Sequence, residues 1–253
     1  MAKKSDGRPR HQQIAAELRS LIMAGDLAPG TRLPTTQQLM AQYSVTSQTV
    51  QRTLNVLKDE NFIVGRAGIG VYVRDVPSLA ITPASYMPPA PQAQAYPWMT
   101  EATKRSQRGT IRLLEVSEVA PPAAVAEALG VARPETVSLR HQMLLLDDQP
   151  TELAWVYHPL TIAQGTSLMD RRRIPGGSPR LLAELGYPPR QWVDRLSTRL
   201  PTTEELEALE LPDDVPVLRT FRVVYTDEMR PIEVQVLIKG GHLYELMYEQ
   251  DIV

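Results

Sequence analysis

Leu33-Pro34-Thr35-Thr36-Gln37-Gln38-Leu39, followed by Tyr43-Ser44-Val45-Thr46-Ser47-Gln48-Thr49-Val50-Gln51-Arg52-Thr53-Leu54, is the stretch whose reading decides the fold. Thr35 and Gln38 stand three apart after a proline, the spacing of a capping box, so a helix starts there with Leu39 and Met40 on its apolar side and ends near Tyr43. Only Ser44 and Val45 intervene before Thr46, which can cap a further helix. In that helix Val50, Leu54 and Leu57 recur at i, i+4 and i+7 and face inward, leaving Ser47, Gln48, Gln51, Arg52 and Asn55 on the outer side.

Upstream, Ile14, Leu18, Leu21 and Ile22 keep helical spacing over roughly Pro9 to Ala24, and Gly25-Asp26 with Pro29-Gly30 ends that helix in a turn. Downstream, Phe62 to Arg66 and Gly70 to Arg74 read as two strands of a hairpin around Ala67-Gly68-Ile69. Two helices across a tight turn, the second with a polar outer face, form a helix-turn-helix, and the hairpin adds a wing. In such a plan the second helix enters the DNA major groove. Gln48 and Gln51 offer the paired donor and acceptor that suit adenine, Arg52 suits guanine or a phosphate, and Ser47 and Thr49 can donate to phosphate or base edges. Arg66, Gly68 and Gly70 at the hairpin tip can come close to a groove or the backbone. Pattern alone leaves a second reading open, because three small amphipathic helices and a hairpin also describe protein-interaction modules.

Charge separates the two ends of the chain. The 253 residues hold 27 Lys and Arg against 29 Asp and Glu, so any charge signal is local. Residues 1–75 carry ten basic and six acidic side chains, or +4, and the remainder carries 17 and 23, or −6. Between them, residues 76–100 contain no charged residue and place Pro at 77, 83, 88, 89, 91 and 97 among Ala and Gln, a composition that favours an extended linker. The expected domains are therefore a winged helix-turn-helix over 1–75, a Pro/Ala/Gln-rich linker over 76–100 and a larger body over 101–253. A basic head on an acidic body suggests that the head meets a polyanion.

Several function classes are disfavoured at once. Without Cys there is no disulfide, zinc-thiolate site or cysteine nucleophile, which fits a reducing cytoplasm. No apolar run is long enough for a transmembrane helix, and the basic start lacks the apolar core of a signal peptide. His11, His141, His158 and His242 show no paired ligand spacing, and neither a phosphate-binding loop motif nor G-x-S-x-G occurs. The expectation is a cytoplasmic, non-enzymatic protein without metal or cofactor. Arg171-Arg172-Arg173 reads as a solvated loop.

The opening stretch and the Gly-rich hairpin resemble the winged head of the GntR family of bacterial transcriptional repressors. The family motif usually carries arginines that touch operator DNA where this chain has Gln37, Ser47 and Gln51, whereas Arg52 matches a basic position common in the family. The outer face and the resemblance together nominate Thr35, Gln37, Ser47, Gln48, Thr49, Gln51, Arg52, Arg66, Gly68 and Gly70 for DNA contact. Affinity is then expected to lean on hydrogen bonds and on Arg52 and Arg66.

The body resembles the UTRA effector-binding domain of the HutC subgroup, whose fold is akin to chorismate lyase. The resemblance rests on Arg112 to Val116, the helix Pro121 to Val131, Val137 to Glu152 with its Asp147-Asp148-Gln149-Pro150 turn, and Ala154 to Pro159. Thr202 to Leu211 and Arg230-Pro231-Ile232-Glu233-Val234 extend it. The residues themselves read as strands over Val137–Leu146, Thr151–Tyr157, Val217–Tyr225 and Ile232–Ile238, with helices over Ala123–Leu129 and Thr203–Leu209, an α+β domain with a mainly antiparallel sheet. The resemblance implies a homodimer on a two-fold symmetric operator and a small-molecule effector near Arg140, Gln142, Tyr157, His158, Glu233, Gln235, Lys239 and Tyr244. Sugar-phosphate sensors of this kind hold the phosphate with two arginines on one strand, and here only Arg140 is present in Arg140-His141-Gln142. A less anionic, more apolar ligand, or none, is expected. Two alternatives stand beside a metabolite-responsive repressor: a plasmid transfer or copy-control repressor, and, remotely, a lyase-like enzyme using Arg140 and Glu233.

Overall fold

The computed structural model describes residues 6–75, 79–81, 97–104 and 106–248. The chain divides into two compact units, Met1–Ala80 and Ile81–Val253.

In the first unit, α1 (Arg10–Met23), α2 (Thr36–Tyr43) and α3 (Ser47–Asp59) precede a hairpin of β1 (Ile63–Arg66) and β2 (Gly70–Val73). The expected capping box is present at α2: Thr35 Oγ1 accepts from the Gln38 amide and Gln38 Oε1 accepts from the Thr35 amide at 2.8 Å. Ser44 takes the left-handed conformation at φ +52 and ends α2, and Thr46 caps α3 by accepting from the Thr49 amide. The apolar stripes meet in one core of Ile14, Leu18, Leu33, Leu39, Tyr43, Val50, Leu54, Leu57, Ile63 and Val73. Two polar contacts pin this core. The Thr53 hydroxyl, fully buried, donates to the His11 carbonyl of α1 at 3.2 Å, and Arg19 grips Glu60 with a forked pair at 2.7 and 2.6 Å.

The second unit is built on a six-stranded antiparallel sheet, ordered β4-β5-β6-β9-β8-β7. Its strands are β4 (Gly109–Val119), β5 (Val137–Leu146), β6 (Gln149–Pro159), β7 (Gln191–Arg199), β8 (Val217–Tyr225) and β9 (Pro231–Gly240). Asp147 and Asp148 both take positive φ, +49 and +68, and close the β5–β6 hairpin. β5 and β8 have the bounds expected from sequence, while β6 and β9 run longer at both ends. The sequence by itself points to no strand at β7, and at β4 only Arg112 to Val116 stands out, as a point of resemblance. Both are the edges of the sheet, where one-sided pairing and exposure relax the demand for an apolar run: β7 is exposed at seven of its nine residues.

One face of the sheet is covered by α5 (Ala123–Leu129) and by the segment containing α8 (Thr203–Ala208). Val125 and Leu129 pack on Leu139, Tyr157, Phe221 and Val234, while Leu209 and Leu211 pack on Met143, Leu153, Val217 and Ile238. The segment read as linker includes a short strand, β3 (Leu79–Ile81), and meets a helix, α4 (Pro97–Lys104), that starts at its last proline. Proline is well suited to the first turn of a helix, where no amide donor is needed. Trp98 and Ala102 of α4 are buried, and the indole lies so close to Gly109 that a Cβ there would stand 2.6 Å from Trp98 Cζ3. The remainder of the linker expectation, at 76–78 and 82–96, falls outside the described residues.

Candidate functional site

The outward surface of α2, and of α3 as far as Lys58, carries polar and basic side chains and no acid: no Asp or Glu occurs between Asp26 and Asp59, and the exposed Asp59 stands at the last residue of α3. Thr35, Gln37, Ser47, Gln48, Gln51 and Arg52 are exposed and Thr49 is half-buried. On a 3.6-residue helix the direction opposite to Val50, Thr53, Leu54 and Leu57 is taken by Gln48, Arg52 and Asn55, with Gln51 on the flank towards α2. Gln51 Nε2 lies 3.5 Å from Thr36 Oγ1. Two hydroxyls have structural duties as well, since Thr35 and Thr46 are the caps of α2 and α3. Three other acids of this unit are engaged with partners. Asp6 is held by the hydrogen bond from Arg8, which takes its carboxyl down to about 2, Glu17 faces the Tyr43 hydroxyl, and Glu60 faces Arg19.

At the wing tip Arg66 is exposed, lies over the Tyr72 ring at 4.4 Å, and approaches Asp75 at 3.8 Å. Gly68 is exposed at φ +72. Gly70 has φ +143, and the space a side chain would occupy is filled by the Arg32 guanidinium, 2.7 Å from where Cβ would stand. Its lack of a side chain is thus used within the head.

The second unit holds a cavity of about 430 Å³ on the sheet face opposite α5. Register explains its wall. Gln142 lies opposite Ala154 and Ala154 opposite Leu237; Glu152 opposes Lys239, Gln235 opposes both Val156 and Arg222, and Arg222 opposes Asp194. Strand alternation puts all of these on one face. The far wall comes from Arg173 to Ser178 and Arg180, on the stretch that follows α6 (Leu160–Ala163) and leads into α7 (Ser178–Glu184).

Four of the eight residues nominated from sequence line this cavity: Arg140, Gln142, Gln235 and Lys239. Arg140 does so with three of its five donors on backbone carbonyls. Nη1 donates to the carbonyls of Leu168 at 2.8 Å and Asp170 at 2.9 Å, and Nη2 to that of Arg172 at 2.7 Å, so the guanidinium ties the 167–172 loop to β5. Lys239 is paired with Glu152 at 3.2 Å, both nearly fully buried, and burial holds its ammonium below the usual lysine range despite that partner. Arg222 and Asp194 form a second buried pair, with two bonds of 2.7 Å. Sequence reasoning missed Glu152, Asp194 and Arg222, because nothing in a single strand tells which neighbour it will face.

The other four do not line the cavity. Tyr157 belongs to the opposite face, opposite Leu139 and Val234 and packed with Val125 and Leu129, and burial pushes its hydroxyl up. Tyr244, in β10 (Tyr244–Leu246), is buried, with Lys239 Nζ 5.8 Å from its ring centre. His158 and Glu233 are bonded to each other at 2.8 Å, fully shielded from solvent, and Gln235 donates to the second Glu233 oxygen. Burial raises the Glu233 carboxyl, but the hydrogen bonds from His158, Ser178 and Gln235 outweigh it and leave the group below its ordinary value.

This network sets an acid limit. Glu233, and Glu205, which is held down by Arg199 and by its own capping box, both have folded values below 4.5. A depressed carboxyl stabilises above its unfolded value and loses that contribution as pH falls through the folded value. Urea unfolding of the second unit should therefore show stability falling as pH drops below about 4.5, less steeply in Glu205→Gln. An acid-insensitive midpoint down to about pH 3 would contradict it.

Residues 104–245 match the UTRA domain family and residues 10–73 match the gntR family of bacterial regulatory proteins. The chain belongs to the GntR family and carries a UTRA domain. Relatives agree over nearly the whole length. The chain is 26% identical to an HTH-type transcriptional regulator of Streptomyces coelicolor, over 95% of this chain and 92% of that one. It is 28% identical to a probable transcriptional regulator, PhnF, of Escherichia coli K12, over 95% of each. The crystal structure of PhnF from Mycobacterium smegmatis shares the fold at TM-score 0.58 and 19% identity, covering 94% of this chain and 100% of that one. These matches make the protein a DNA-binding transcriptional regulator with an effector domain, akin to the HutC-like subgroup, and its relatives are regulators, not enzymes. Among the described residues no helix is long and apolar enough to cross a membrane.

Proposed function

We propose that this GntR-family regulator is a homodimeric repressor that binds a two-fold symmetric operator through α3 and the wing of each head, and that a small molecule in the UTRA cavity tunes that binding. The observation that carries the effector half is the 430 Å³ cavity, a volume in the range of small-molecule sites, walled by Gln142, Gln235, Thr220 and two buried ion pairs over an apolar floor of Leu144, Ala154, Val156 and Leu237. Arg140 gives three of its donors to loop carbonyls, so a ligand there meets amides, the Lys239–Glu152 and Arg222–Asp194 pairs and, from the far wall, Arg173 and Arg180. The DNA half rests on the polar and basic outer surface of α2 and α3, which holds no acid before Asp59 at the far end of α3. Regulation is linkage: an effector that favours one arrangement of the dimer weakens operator binding by the same factor by which operator weakens effector binding.

The test is selection of bound duplexes from a random pool by the full-length protein. Enrichment of a two-fold symmetric site with half-sites about one helical turn apart supports the dimeric operator reading, and enrichment of lone half-sites overturns it. On the selected site, Arg66→Ala should lower the salt slope of binding by about one unit while leaving base preference in place, as expected of a phosphate contact. An unchanged slope would remove Arg66 from the interface.

A further inference from the structure

The side chains that α3 turns outward differ from a generic basic surface in one respect: they are mostly amides. Gln48 and Asn55 lie at the centre of the outer face with Arg52, Gln51 lies on its flank, and Gln37 is exposed on the first turn of α2. In the major groove, guanine presents two acceptors, N7 and O6, and so calls for two donors. Adenine presents one acceptor, N7, and one donor, the N6 amino group, and so calls for one of each.

Gln51 has the second pattern. Its Nε2 approaches the Thr36 hydroxyl at 3.5 Å, a contact that uses one N–H and neither the second N–H nor the carbonyl oxygen of this exposed side chain. That contact also orients a side chain that would otherwise lose rotamer freedom on binding. Thr36 is itself held at the start of a helix fixed by the Thr35–Gln38 capping box, so the amide is referenced to the fold as well as to its own helix. Val50 and Leu54, both buried beside it in sequence and turn, fix the rotation of α3.

We propose that Gln51 is a specificity-determining residue that reads an adenine, so that each operator half-site carries an A·T pair at the position facing it. The inference rests on the reading of α3 as the groove-binding helix and adds the identity of the base.

The experiment compares full-length wild type, Gln51→Ala and Gln51→Arg in selection from a random duplex pool, with circular dichroism to establish that each variant is folded. Gln51 is exposed, so both variants keep the core. The expected result is one A·T position per half-site that loses its preference in Gln51→Ala and changes to G·C in Gln51→Arg, because arginine supplies two donors. In the selected duplex, replacing that adenine with 7-deazaadenine, which lacks N7, should weaken wild-type binding about tenfold and leave Gln51→Ala unaffected. A Gln51-dependent position occupied by G·C in the wild type, or a pattern unchanged in Gln51→Ala, overturns the assignment while leaving operator binding intact. Failure of the folded wild type to enrich any duplex overturns both the assignment and the groove-binding reading beneath it.

Discussion

Glu152→Ala should destabilise the UTRA domain by about 3–5 kcal/mol, the cost of leaving one member of a buried ion pair without the other. Glu152 and Lys239 are opposite one another on β6 and β9, both about 95% shielded, with Nζ and Oε2 3.2 Å apart. Removing the carboxylate leaves the buried ammonium in the cavity wall without its hydrogen-bonded partner, with Asp194 its remaining acidic neighbour and Arg222 opposing it. The folded value of Lys239 already lies below the ordinary 10.5 because of burial. Without Glu152 it falls further, so the unfolded chain binds the proton more tightly than the folded one, and the variant's stability rises as pH is raised towards the unfolded value. The double variant Glu152→Leu/Lys239→Met should recover most of the loss, since an apolar pair of similar size has no desolvation cost. Urea unfolding of the three proteins checks this. A Glu152→Ala loss below about 1 kcal/mol would show that the pair is exposed to water in solution.

The second large effect lies in the head. Leu57→Ala should cost about 2–5 kcal/mol, because Leu57 is fully buried on α3 in the core that also holds Ile14, Leu18 and Ile63. A unit of this size has little stability to spare. Each 1.4 kcal/mol is a factor of ten in the folded fraction, so operator affinity should fall at least tenfold once that reserve is exhausted, with faster hydrogen exchange in α1 and α3. The exposed neighbour Gln48→Ala should leave exchange unchanged. Full protection of α3 amides in Leu57→Ala would mean that the helix does not depend on this core.

These two sites also mark how far the chain can be read before it folds. The head was legible to within one residue at α1 and α2, and Leu57 was already assigned to the core. Each signal there is local: a capping box spans three residues, an apolar stripe one or two turns, and a hairpin a single tip. The same holds for β5 and β8, strand-like runs bounded by polar or proline-containing turns, and for α5, which lies between Pro122 and Gly130.

The cavity was legible only in part. Arg140, Gln142, Gln235 and Lys239 could be nominated because they interrupt apolar strands with polar groups, but Tyr157 has the same appearance and faces the other way, into the packing of α5. Strand alternation gives two faces without saying which is the inner one, and a residue's partner across the sheet can lie anywhere in the chain. Glu152 met Lys239 and Asp194 met Arg222 only through the order β6-β9-β8-β7. The amino-acid sequence by itself determined the helices, the turn, the wing, the central strands and the family they indicate, because those depend on near neighbours. Which polar groups line the cavity and which are consumed in holding its walls were decided by tertiary pairing, because burial and charge partnership depend on residues distant in the chain.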